Sequence, residues 1–167
     1  MSGNAYTYRM PMGIAGAVTR PRESTIEPVT LNNQKMFNDY GLPGKYVGDK
    51  FVPLESGDTI DLVKGIFVRP FPITSQSDLA YLKVNANPVG DNLKRGYICV
   101  KVTAGNATTA KKGAPIYVRV AGGTTQSPVG SFVLVQDAMD TNTPRLVMAE
   151  AMGPGDADGR LEIAFNI

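Results

Sequence analysis

The sequence predicts an all-β protein: an antiparallel β-sandwich or barrel-like domain preceded by an extended N-terminal arm. Three observations carry this. Apolar residues recur at spacing 2 in several short runs, the pattern of strands with one buried face. The 167 residues include 18 Gly and 12 Pro, enough turn formers to separate many short strands. No segment sustains a 3.6-residue apolar period over the roughly 12 residues that would support a stable helix.

Residues 1–30 form the predicted arm. Pro11, Pro21 and Pro28 fix φ, remove backbone donors and bias the preceding residues toward extended conformations. Tyr6, Tyr8, Met10, Met12, Ile14, Val18 and Ile26 make the segment too apolar for an inert solvated tail, so it is expected to lie on its own domain or on a neighbour. Residues 31–167 are read as the β core. Asn33 to Tyr40 offers two helical turns ahead of Gly41, and Ser77 to Leu82 one turn. Strands are predicted at Asp58–Leu62, at Ile66–Arg69 (stopped by Pro70 and Pro72) and at Tyr97–Val102. Further strands are predicted at Ile116–Val120, Phe132–Val135, Arg145–Ala149 and Leu161–Ile167. Lys94-Arg95-Gly96 and Lys112-Gly113 each precede a strand carrying a basic residue between two valines, as in two strands of one meander. Sandwich and closed barrel both satisfy this pattern.

Composition points away from catalysis. There is no histidine, and the one cysteine, Cys99, sits in an apolar run as a small hydrophobe with no imidazole to activate it. Asp156-Ala157-Asp158-Gly159 places its glycine too early for a calcium loop, and Glu162 follows too soon. Gly113-Ala114-Pro115 and Gly122-Gly123 fit no phosphate-cradling loop, and the carboxylate pair Asp58 and Asp61 is of a kind that scattered acids produce by chance. No catalytic residue, metal site or cofactor is therefore expected. With 17 basic and 15 acidic residues, the chain has no electrostatic case for nucleic acid. No apolar run reaches the roughly 20 residues of a membrane span, and the first residues lack the basic and apolar regions of a secretory signal. Synthesis in a cytoplasm is expected. Only 19% of residues are charged, which suits a surface partly covered by partners.

The order of these pieces resembles the capsid cement (decoration) proteins of tailed bacteriophages. The resemblance runs through the arm from Pro11 to Pro28, Tyr40-Gly41-Leu42-Pro43, and Gly65-Ile66-Phe67-Val68-Arg69-Pro70-Phe71-Pro72. It continues in Arg95-Gly96-Tyr97-Ile98-Cys99-Val100-Lys101, in Lys112-Gly113 with Tyr117-Val118-Arg119, and in the closing Glu162-Ile163-Ala164-Phe165-Asn166-Ile167. It does not extend closely to Gln76–Asn92 or Gly122–Pro144. It implies a non-enzymatic virion protein, made in the bacterial host, that binds the outside of the assembled head and clamps adjacent major capsid protein subunits. It also implies a homotrimer. The arm would then reach a neighbour, with Arg9, Met12, Ile14, Arg20 and Arg22 as candidate interface residues. A glycan- or ligand-binding β module, using Tyr97 or Tyr117, is the alternative reading. A carboxylate-based glycosidase is a distant third.

Overall fold

The computed structural model describes residues 13–70 and 88–167. Arg9 and Met12, and the turn read at Ser77 to Leu82, lie outside the described residues. Among those described, nine strands form: β1 (Thr25–Leu31), β2 (Pro43–Val47), β3 (Lys50–Pro53), β4 (Gly65–Val68), β5 (Val89–Ala104), β6 (Pro115–Val118), β7 (Phe132–Val133), β8 (Arg145–Ala151) and β9 (Arg160–Phe165). The protein is all-β, and most strand pairs are antiparallel.

The pairings close into two circuits that share β5. One runs β1-β3-β2-β4-β5 and back to β1; the other runs β5-β7-β6-β8-β9 and back to β5. β5 serves both because it is 16 residues long. Its first half pairs with β1 and β4, and its second half with β9 and β7. Closure through one parallel contact in each circuit, β1 with β3 and β5 with β7, leaves little free strand edge. The first part of β1 keeps one open edge. Leu31 donates its N–H to Pro88 O on the β5 side, so by strand alternation Pro28 turns its missing donor to the open side. Proline is tolerated in a sheet at such an edge. The boundary read at residue 30 thus falls inside β1.

Two cores flank β4, all four residues of which are buried. Ile66 and Val68 point into the larger core with Leu93, Ile98, Val100, Ile116, Phe132, Leu161 and Phe165. Phe67 points the other way, into an aromatic cluster with Phe37, Tyr40 and Phe51. A strand buried on both faces reads as an unbroken apolar run, and Ile66-Phe67-Val68 is one.

Two local expectations are corrected. Asn33–Tyr40 is not helical but a chain of turns, because Asn32 Oδ1 accepts the Gln34 N–H at 3.0 Å and competes with helical bonding, while Phe37 and Tyr40 anchor in the aromatic cluster. Asp58–Leu62 is not a strand: Asp58 Oδ2 accepts the Glu55 N–H at 2.7 Å, and Ile60–Leu62 forms a 3-10 turn with Leu62 exposed.

Residues 16–19 run along β5 as a short strap in the notch between β4 and β7. Gly16 N donates to Cys99 O, Cys99 N to Ala17 O and Thr19 N to Tyr97 O, with Val18 bridged antiparallel to Ile98. Arg69 N donates to Gly16 O, and Arg69 Nε to Ala15 O at 2.9 Å. Gly16 and Gly41 make this seat possible. Both have positive φ, +85° and +75°, and a Cβ on Gly41 would stand 2.7 Å from Gly16 N. Gly41→Ala is expected to cost about 1–3 kcal/mol locally and to lift the strap. Hydrogen exchange at the Cys99 amide checks this: about tenfold faster exchange is expected, and unchanged protection would show that the strap holds without the glycine contact.

Candidate functional site

No group of three or more His, Cys, Asp or Glu side chains converges among the described residues. Cys99 is fully buried, and burial above all pushes its thiol up to about 11, so it is held as an unreactive thiol. In the Asp156–Arg160 turn, Asp156 Oδ1 accepts the N–H groups of Asp158 and Arg160 at 3.1 and 2.8 Å. The Arg160 guanidinium lies 4.0 and 3.7 Å from the two carboxylates, an arrangement that serves the turn itself. Three surfaces among the described residues are distinct.

The first is where the N-terminal residues meet the domain. Arg20 has its Nε and Nη2 each 3.3 Å from a Glu162 carboxylate oxygen, and its guanidinium lies 4.0 Å above the Tyr97 ring. Thr19 Oγ1 donates to the same carboxylate at 2.6 Å. Arg20 thus fastens the strap to β5 and β9 within the chain. It also covers one face of the Tyr97 ring, and Tyr117 is half-buried. Ile14 is half-buried at a polar groove with Asp39, Arg69, Lys101, Asp158 and Arg160. Arg69 itself is buried, its guanidinium 4.4 Å above Tyr40 and 3.7 Å from Asp39.

The second surface adjoins it. Arg22 is exposed on the 3-10 turn Pro21–Glu23 and borders a groove with Thr25, Arg95, Tyr97 and Ile167. Of the candidate residues, Arg20 is bonded within the molecule yet 40% exposed and lines a shallow groove with Pro21, Arg22 and Glu23. Ile14 lies apart, by Arg69, and Arg22 also borders the groove at Arg95. Arg95 and Ile167 were not singled out from the sequence. In the sequence Arg95 stands only as part of the Lys94-Arg95-Gly96 turn before a strand, because its pairing with Thr25 is a long-range event.

The third is the loop that follows β7. Arg119, at 5% exposure, donates from Nη2 to Asp137 Oδ1 at 2.8 Å and from Nε to Ser127 Oγ at 2.9 Å. Asp137 N donates to Thr143 Oγ1 at 2.8 Å. The Arg119 hydrogen bonds hold the Asp137 carboxyl below the usual carboxylate range. Beyond this anchor, Val135 and Met139 are 59% and 63% exposed.

No curated protein matches the chain. Among solved structures, a chain in "The capsid of Myoviridae Phage XM1" is similar, with a TM-score of 0.66 over 99% of this chain and 98% of that one. At 16% identity that likeness shows the shared fold alone. The model of the XM1 gp53 minor capsid protein family matches residues 3–165. The match takes in both β circuits, the strap and the anchored loop, so the chain belongs to the XM1 gp53 minor capsid protein family, a family of structural capsid proteins of phage.

Proposed function

We propose that this protein is a cement protein of the phage head. It binds the outer surface of the assembled shell, clamps adjacent major capsid protein subunits and acts as a homotrimer without catalysing a reaction. The observation that carries this reading is the match of a minor capsid family over residues 3–165, which spans nearly the whole chain. Such a protein stabilises the shell by mass action, because it binds the assembled state and not free subunits. A closed β scaffold suits the task, since it leaves few strand edges to pair with the wrong partner.

The reach toward capsid subunits is assigned to the N-terminal residues, with Arg9, Met12 and Ile14 as contacts and Arg22 beside them. The fold dictates how to test this. A deletion of residues 1–28 would remove the strap and most of the β1 pairing with β5, and would unfold the first circuit. A deletion of residues 1–12 stops short of both. The shorter deletion is expected to keep the native thermal transition and to weaken sedimentation with emptied, expanded heads at least about tenfold, as loss of a contact segment does. Full head binding by the shorter deletion would remove these residues from the mechanism.

A further inference from the structure

Three uncommon backbone features meet at the groove bordered by Arg22 and Arg95. The first is a β-bulge. Leu93 and Ile98 both point into the larger core although they stand at an odd spacing along β5, and strict alternation from Leu93 would turn Arg95 inward. Pairing with β1 steps from Thr25 with Arg95 to Ile26 with Leu93, so Lys94 is an extra residue and Arg95 is carried into water. The second is Gly96, at φ +141°, where a Cβ would collide with Ser24. The third is Asn166, whose φ of +55° is the one positive value outside glycine among the described residues. Its Nδ2 donates to Lys94 O at 3.2 Å and its N–H to Met148 O at 2.7 Å, so it holds the bulge while turning Ile167 to the groove. Bulges that re-aim a side chain and uncommon non-glycine backbone both concentrate at functional sites.

These features present two guanidiniums to which the fold supplies no counter-charge. Arg22 and Arg95 line the groove, and neither has an ion pair among the described residues. Glu23, in the same lining, has none either. The groove is otherwise polar, with Ile167, 60% exposed, as its one large aliphatic side chain. An acidic peptide complements each of these groups. Its carboxylate takes the forked donors of the arginines, a backbone N–H meets Glu23, and an apolar side chain covers Ile167. An acidic sugar would satisfy the arginines and leave Ile167 in water.

We propose that this groove receives an acidic peptide segment of a capsid subunit, with a carboxylate at Arg22 and Arg95 and an apolar side chain against Ile167. The inference rests on the cement reading and deepens it. It adds a contact apart from residues 1–12 and names the chemistry that the contact meets.

The test uses the full chain and two probes. Emptied, expanded heads report binding to the shell by sedimentation. A short, labelled peptide of alternating Glu and Leu, blocked at both ends, reports the chemistry of the groove by fluorescence anisotropy. Wild-type protein is expected to bind this peptide at least about tenfold more tightly than the same peptide with Lys in place of Glu. Arg22→Glu and Arg95→Glu, both at exposed positions, are each expected to weaken peptide and head binding at least about tenfold with unchanged thermal unfolding. Lys111→Glu, an equal charge reversal at an exposed position before β6, is expected to leave both unchanged. Equal losses in Lys111→Glu overturn the inference, because net charge then explains the effect. So does a wild type that does not prefer the Glu peptide. Tighter binding of polygalacturonate than of the peptide gives the groove to an acidic glycan and overturns the peptide occupant. The two readings fail separately. Head binding that ignores both arginines removes the groove and leaves the cement reading. Arginine-dependent peptide binding without any head binding removes the cement reading and leaves the acidic-peptide site.

Discussion

Phe67→Ala is expected to lower the unfolding free energy by about 3–5 kcal/mol, the usual range for deleting a buried aromatic side chain. Phe67 is 1% exposed and is the one β4 side chain turned into the aromatic cluster. Its ring centroid lies 4.5 Å from that of Phe37 and 5.0 Å from that of Tyr40, both stacked. The loop carrying Phe37 and Tyr40 is neither helix nor strand, and these stacks help to hold it, along with the Arg69 contacts to Asp39 and Tyr40. Loss of the ring also reaches the strap, because Phe67 O accepts the Gly41 N–H and Gly41 meets Gly16. Urea titration of the variant checks the magnitude. Phe67→Leu, which keeps most of the volume, is expected to lose much less. Equal losses for Ala and Leu would point to ring stacking over filled volume as the source of stability.

Arg119→Met is expected to cost about 2–3 kcal/mol, the scale of hydrogen bonds to a charged group in a buried setting. For a domain of this size the thermal midpoint then falls by roughly 4–12 °C. The substitution keeps the aliphatic stem and removes the bonds to Asp137, to Ser127 and, at 3.2 Å, to Gly122 O. The same pair sets a pH dependence. The carboxyl of Asp137 in the folded protein titrates below its unfolded value of about 4. Its contribution is therefore complete above that value and is lost as pH falls through the folded pKa. Glu27, lowered first by the Tyr46 hydroxyl at 2.6 Å, acts in the same direction. Stability measured downward from neutral pH should fall below about 4, less steeply in Arg119→Met than in the wild type. Parallel acid profiles would show that the arginine does not set the Asp137 titration.

The sequence by itself determined the all-β class, the absence of a histidine-based catalytic centre and the approximate place of most strands after residue 64. Those features are local: alternation, turn residues and composition are read within a few positions. Ile66-Phe67-Val68 and Tyr97–Val102 were legible for that reason. β1 was not, because Pro28 hides a strand whose proline is tolerated only by facing an open edge. Only the tertiary structure decided that β5 is shared by two closed circuits, since closure depends on pairings such as Thr30 with Lys50 and Val102 with Phe132. It also decided the roles of the arginines. Arg20, Arg22, Arg95 and Arg119 are equivalent as letters, but the fold makes one a strap fastener, one a loop anchor and two the rim of a groove. A charge takes its role from what the fold brings within a few ångströms of it, and that is set by long-range packing.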